Sequence, residues 1–146
     1  MKRSKRLKVV QSVAAHEELE ERKVMANSQG RLNTILERLD ELKAYRNHYA
    51  SNQRPDSGAG GLQWQDYHKF MQRLDDAVLE QEKVLDAGRI QREAHRKRWM
   101  RKRRRLKSLS RVIDRFKTEE TEAEERRLQK RQDAMAGRSS PFEREH

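Results

Sequence analysis

Two groups of side chains have the residue types and spacing to do chemistry, and neither is a catalytic constellation. The first is aromatic. Tyr45, Tyr49, Trp64, Tyr67 and Phe70 place five of the eight aromatic residues in one short span. Rings at this density either pack on one another or offer contact area to another protein. The second group is cationic. Arg89, Arg92, Arg96, Lys97, Arg98, Arg101, Lys102, Arg103, Arg104, Arg105 and Lys107 stand against a lone Glu93. Such a block attracts anions: nucleic-acid phosphates, an acidic protein, or the chain's own carboxylates. Trp99 within it could stack on a base, but no RNA- or DNA-binding module signature accompanies the block.

Other chemistries find little support. His16, His48, His68, His95 and His146 are scattered, without the spacing of a metal site. No glycine-rich phosphate loop, nucleophile elbow or paired carboxylates can be proposed. Cysteine is absent, which removes disulfides and thiolate metal ligands. The expectation is a protein without cofactor or metal, and not an enzyme.

The elements that must position these groups follow from composition and period. Charged residues make up 40% of the 146 and hydrophobic residues 33%, with a mean hydropathy of −1.29. That is too little apolar surface for a round core, which leaves disorder or long helices zipped along a narrow seam. Periodicity selects the seam. Met71, Val78, Leu85, Arg92, Trp99, Leu106 and Ile113 repeat every seven residues. Leu74, Gln81, Gly88, His95, Lys102, Leu109 and Phe116 supply the second position of the same heptads. Upstream, Leu32, Ile35, Leu39, Leu42 and Tyr49 share a register broken by Arg46. Leu7, Val10, Val13, Val24 and Met25 join one face only if the register shifts.

Between these segments, residues 51–61 collect Pro55, Asp56, Ser57, Gly58, Gly60 and Gly61, where proline removes a donor and glycine permits positive φ. A short loop makes its two helices antiparallel neighbours. The fold expected is therefore all-α: two long helices in an antiparallel coiled-coil hairpin with an overhanging C-terminal helix. One coiled-coil domain covers 1–137, with helix 1 over about 5–51, a loop over about 52–62 and helix 2 over about 63–136. Residues 138–146 form a disordered tail. Folding the chain about 57–59 brings Tyr49 near Tyr67, Leu42 near Leu74, Ile35 near Gln81 and Leu7 near Leu109. It sets Glu17, Glu18, Glu20 and Glu21 opposite Arg96, Lys97 and Arg98. Gly30 and Gly88 then lie nearly opposite each other, as tolerated glycines or as a site of close approach.

A net charge of +11 and a pI near 10.2 imply an acidic partner. No apolar run is long enough to cross a bilayer, and the basic N-terminus lacks the apolar stretch of a secretory signal, so the cytosol is the expected compartment. Tyr45 and Phe70 stand off the heptad seam, so the ring cluster serves either packing alone or packing and binding.

The run Tyr45-Arg-Asn-His-Tyr49, a glycine-containing loop, and Trp64-Gln-Asp-Tyr67-His-Lys-Phe70 continuing to Leu74 and Ala77 resemble the central region of the FliJ family of flagellar export proteins. The resemblance implies an antiparallel two-helix stalk like that of rotary ATPases. Its partners would be the hexameric flagellar export ATPase, the membrane export gate and export chaperones. Its place would be the cytoplasmic face of the membrane at the flagellar base, where assembly, motility and chemotaxis depend on it. Carried over by position, the gate-binding residues are Leu42, Tyr45, Tyr49, Phe70, Leu74 and Ala77. Arg38 and Gln81 match the patch by location but not by residue type. The basic residues Arg96, Lys97, Arg98, Arg101, Lys102, Arg103, Arg104 and Arg105 remain a possible partner surface. Against this stands a basic coiled-coil protein that binds RNA or DNA, with affinity falling steeply in salt.

Overall fold

The computed structural model describes residues 2–144 and contains two helices, α1 (Arg3–Asn52) and α2 (Gly61–Arg144), packed against each other as an antiparallel hairpin. Both are rich in Leu, Glu, Lys, Arg, Gln and Ala, which lose little on entering a helix. The loop closes through a turn in which Ala59 N donates to Asp56 O at 2.9 Å. No glycine among the described residues takes a positive φ, so the loop uses the small size of its glycines rather than left-handed backbone. Gly137 likewise keeps a negative φ and does not form the left-handed stop of a helix end, and α2 runs past the end expected near 136. The last two residues of the tail expected over 138–146 lie outside the described residues.

Packing divides the pair into two compact units, one joining the first 18 residues to the stretch from Lys102 onward, the other spanning Leu19–Arg101. In the second unit Leu32, Leu39 and Leu85 form the core, with Ile35, Leu36 and Val78 against it, and Leu74 is buried nearby. Gly88 is where the helices come close. A Cβ there would lie 3.3 Å from Ile35 Cδ1 and 3.4 Å from Leu32 Cδ1, whereas one at Gly30 would meet nothing within 4 Å. In the first unit Ala14 and Ile113 are buried, and polar pairs line the seam. Ser4 Oγ donates to Glu120 at 2.7 Å, and Gln11 Nε2 donates to Ser110 Oγ at 2.9 Å.

The α2 seam is the one its heptads predict: every position from Met71 to Phe116 in the two rows is buried or half-buried. The α1 seam differs from expectation. It needs no register shift, because the heptad of Leu32, Leu39 and Tyr49 continues without a break through Ser28, Met25, Glu21, Glu18, Ala14, Gln11, Leu7 and Ser4. All of these are buried or half-buried, while Val10, Val13 and Val24 are exposed. Small and hydrogen-bonding side chains occupy the seam there, so apolar periodicity points to the wrong face.

The pairing register also differs from a fold about 57–59, by roughly five residues as read from its cross-helix contacts. Arg46 meets Asp75, Gln29 meets Arg92, and Glu17 meets Lys102 rather than Arg96, Lys97 or Arg98. Ile35 faces Gly88 rather than Gln81, and Gln11 rather than Leu7 reaches the level of Leu109 and Ser110. The loop is asymmetric: Tyr67 bonds back to Ala50 near the end of α1, so the first turns of α2 lie beyond that end. At the other end of the pair, every described side chain from 124 to 138 is exposed, including Leu128 at 49% and Met135 at 70%.

Candidate functional site

The aromatic group assembles where α1 ends and α2 begins. Tyr49 is the hinge of the cluster, with its ring 4.4 Å from that of Phe70 and stacked at 5.9 Å on Tyr67. Trp64 meets Tyr67 edge-on at 6.0 Å and stacks on His68 at 5.8 Å, while Arg54 of the loop sits 5.8 Å over the Trp64 ring. The Tyr67 hydroxyl donates to Ala50 O at 3.3 Å, satisfying one of the carbonyls left over at the end of α1. These contacts fix the hairpin end, and Arg46 braces it through a 2.6 Å bond to Asp75.

Of the residues carried over by position, Tyr45 is 51% exposed, and Leu42, Tyr49, Phe70 and Ala77 are half-buried. Leu74 is 7% exposed and belongs to the seam. The two readings of the ring cluster thus divide by residue. Tyr49, Trp64, Tyr67 and Phe70 are half-buried and pack on one another, and Tyr45 is exposed to solvent. Leu62, which the aromatic pattern does not include, is 77% exposed on the first turn of α2 and enlarges the apolar area of the tip. Its position beside Trp64 in the sequence was the available signal.

The basic block is split by the packing. Lys102 Nζ donates to Glu17 at 3.0 Å, and Arg105 lies 3.5 Å from the same carboxylate, holding the Glu17 carboxyl below its ordinary range. Arg96 pairs with Glu93 at 3.4 Å. Lys97, Arg98, Arg101 and Arg104 are exposed and make no ion pair among the described residues. Nearer the N-terminus, Lys8 is crowded by Lys117 and Lys5, which lowers its pKa.

What this arrangement can do is bind. Its rings and guanidinium groups are carried on a two-helix support. Among the described residues no three His, Asp or Glu side chains come together as metal ligands, and no helix is long and apolar enough to cross a membrane.

A search of curated proteins finds no match to the chain. A protein-family model does match, described as Flagellar FliJ protein and spanning residues 3–141, which takes in α1, the loop, the aromatic tip and all but the last three residues of α2. With the hairpin and that match together, the chain belongs to the FliJ family and is a component of the flagellar protein export apparatus.

Proposed function

We propose that this protein is a non-enzymatic stalk of the flagellar export apparatus. In this reading it binds the hexameric export ATPase, contacts the membrane export gate with its aromatic tip, and escorts export chaperones. It sits peripherally at the cytoplasmic face of the cell membrane at the flagellar base, and assembly, motility and chemotaxis depend on it. The observation that carries the reading is the contact of Tyr49 on α1 with Phe70 on α2 at 4.4 Å, with Tyr45 one turn before Tyr49 and 51% exposed. Pre-ordered aromatic area is what interface hot spots are made of. Leu42 and Ala77 are half-buried, and Leu74 is buried in the seam. The ATPase end is assigned to the N-terminal Lys2–Lys8 segment and to α2 from Leu106 onward.

Tyr45→Ala tests the tip. Its side chain is exposed, so helicity should be unchanged, while affinity for the gate's cytoplasmic domain should fall roughly tenfold or more, the loss expected of a hot-spot ring. Swimming in soft agar should shrink with it. Unchanged gate binding and swimming in the Tyr45→Ala, Tyr49→Ala, Phe70→Ala triple variant would remove the tip from this role.

The exposed cations Lys97, Arg98, Arg101 and Arg104 favour a second reading, in which RNA or DNA is the partner. That reading requires binding that weakens steeply with salt and disappears when those four charges are reversed.

A further inference from the structure

The outer side of α1 in the Leu19–Arg101 unit carries a row of exposed residues at steps of three and four, opposite the buried Leu32 and Leu39. Its middle is bare. Gly30 has open space where a Cβ would stand, and Ala26 and Thr34 lie a turn to either side. The Thr34 hydroxyl donates to Gly30 O at 3.1 Å, so it asks for no partner. Together with Arg31, Ile35 and Arg38 these residues line a shallow groove.

The order of groups along the row limits what can cover it. Counting outward from the level of residue 32, Gly30 and Thr34 are equidistant, as are Asn27 and Glu37, Lys23 and Glu41, and Leu19 and Tyr45. Each pair is complementary: small with small, amide with carboxylate, ammonium with carboxylate, and apolar with aromatic. Glu37 and Glu41 make no ion pair among the described residues, and Lys23 has only a loose 3.6 Å contact with Glu20. Leu19 is 36% exposed and Tyr45 51%. A helix whose pattern complements its own reversal fits a second copy of itself laid antiparallel about a two-fold axis, where every contact occurs twice.

We propose that the outer face of α1 is a homodimer interface, in which two copies pair antiparallel about residue 32. Gly30 and Thr34 of the two copies then sit at the crossing, and the small side chains let the backbones approach. Lys23 meets Glu41 of the second copy on both sides, and Leu19 covers Tyr45 at each end. Glu37 and Glu41 stand beside Lys23, Arg31 and Arg38, and this mixture of signs disfavours both a polyanion and a uniformly acidic partner. Exposed ion pairs contribute little each, so the dimer is weak, and its specificity comes from the charge pattern. The proposal stands apart from the stalk reading, because it concerns the free chain.

Sedimentation velocity on the full-length protein at low salt, over a range of concentrations, tests it. The wild type should shift from monomer to dimer with concentration. Glu41→Lys sets two ammonium groups face to face and should weaken the dimer at least tenfold without loss of helicity. Lys23→Glu should do the same. The combined Lys23→Glu, Glu41→Lys protein should recover the wild-type constant; a parallel pairing, which sets each residue against its own copy, would show no loss in either single variant. A wild-type protein that stays monomeric throughout, or a dimer indifferent to both single charge changes, overturns the proposal.

Discussion

Glu17 shows how single residues hold the polar part of the seam. Its carboxyl pKa is depressed below the ordinary 4.5, first by the hydrogen bond from Lys102, then by the charge of Lys102 and that of Arg105. Glu120 is depressed in the same direction, chiefly by the hydrogen bond from Ser4. A depressed carboxyl contributes stability that is complete above its unfolded pKa and is lost as pH falls through the folded value. Acidification below about pH 4.5 should therefore lower amide protection in 3–18 and 102–120, taken relative to the intrinsic exchange rate at each pH, and Glu17→Gln should remove much of that pH dependence. Lys8 acts with the opposite sense. Crowding by Lys117 lowers its pKa, so its repulsion is present while both amines are charged and is relieved as pH rises through the lowered value. Arg92 is a different case. Its Nη1 donates to Gln29 at 3.0 Å, but its Nε is buried without a partner. Leucine fits a heptad seam position better than a half-satisfied guanidinium, so Arg92→Leu should raise stability by about 1 kcal/mol. Thermal unfolding followed by circular dichroism measures it.

At the scale of the elements, the two interrupting glycines separate cleanly. Gly30 has room for a side chain, so Gly30→Ala should add up to about 1 kcal/mol from helix propensity alone. Gly88→Ala gains the same propensity but presses on Ile35 and Leu32 at 3.3–3.4 Å, and Gly88→Leu should overpack the seam and cost about 1–3 kcal/mol. Denaturant midpoints for the three variants rank them. The same contrast explains what the sequence makes legible. The hairpin, its loop and the α2 heptads follow from breakers and period, because leucine, isoleucine and tryptophan mark their own positions. The N-terminal half of α1 is hidden, because Ser4, Ala14, Glu18 and Ser28 occupy its seam while valines face solvent. Extending the Leu32 heptad backwards finds that seam, whereas following hydrophobicity does not. The rings of the tip are legible as a cluster, but which of them is exposed depends on how Tyr49 packs on Phe70 and Tyr67, and that requires the register across two helices.

For the whole molecule, the consequential feature is the inequality of its helices. α1 has 50 residues and α2 has 84, and most of the excess emerges where α1 begins, beyond the pairing of Ser4 with Glu120. Arg127 lines a groove with Lys2. Beyond it Leu128 and Met135, seven apart and so on one face, stay exposed among charges. A single helix of this composition gains little from propensity and acquires its use from a partner. If that partner is the ATPase ring, truncation before Leu128 separates two functions. The truncated protein keeps the seam from Ser4 to Glu120 and the rings at the tip, so its midpoint of unfolding should stay within a few degrees of the full chain. Its binding to the gate's cytoplasmic domain should be unaffected, while co-purification with the ATPase should fall sharply. Leu128→Glu with Met135→Glu should reproduce the loss without shortening the chain, since both changes lie on exposed positions. Retention of ATPase binding in both variants would move that contact to the Lys2–Lys8 segment or to the two-helix part of α2. Loss of gate binding as well would mean that the truncation reaches further into the hairpin than its exposed side chains indicate.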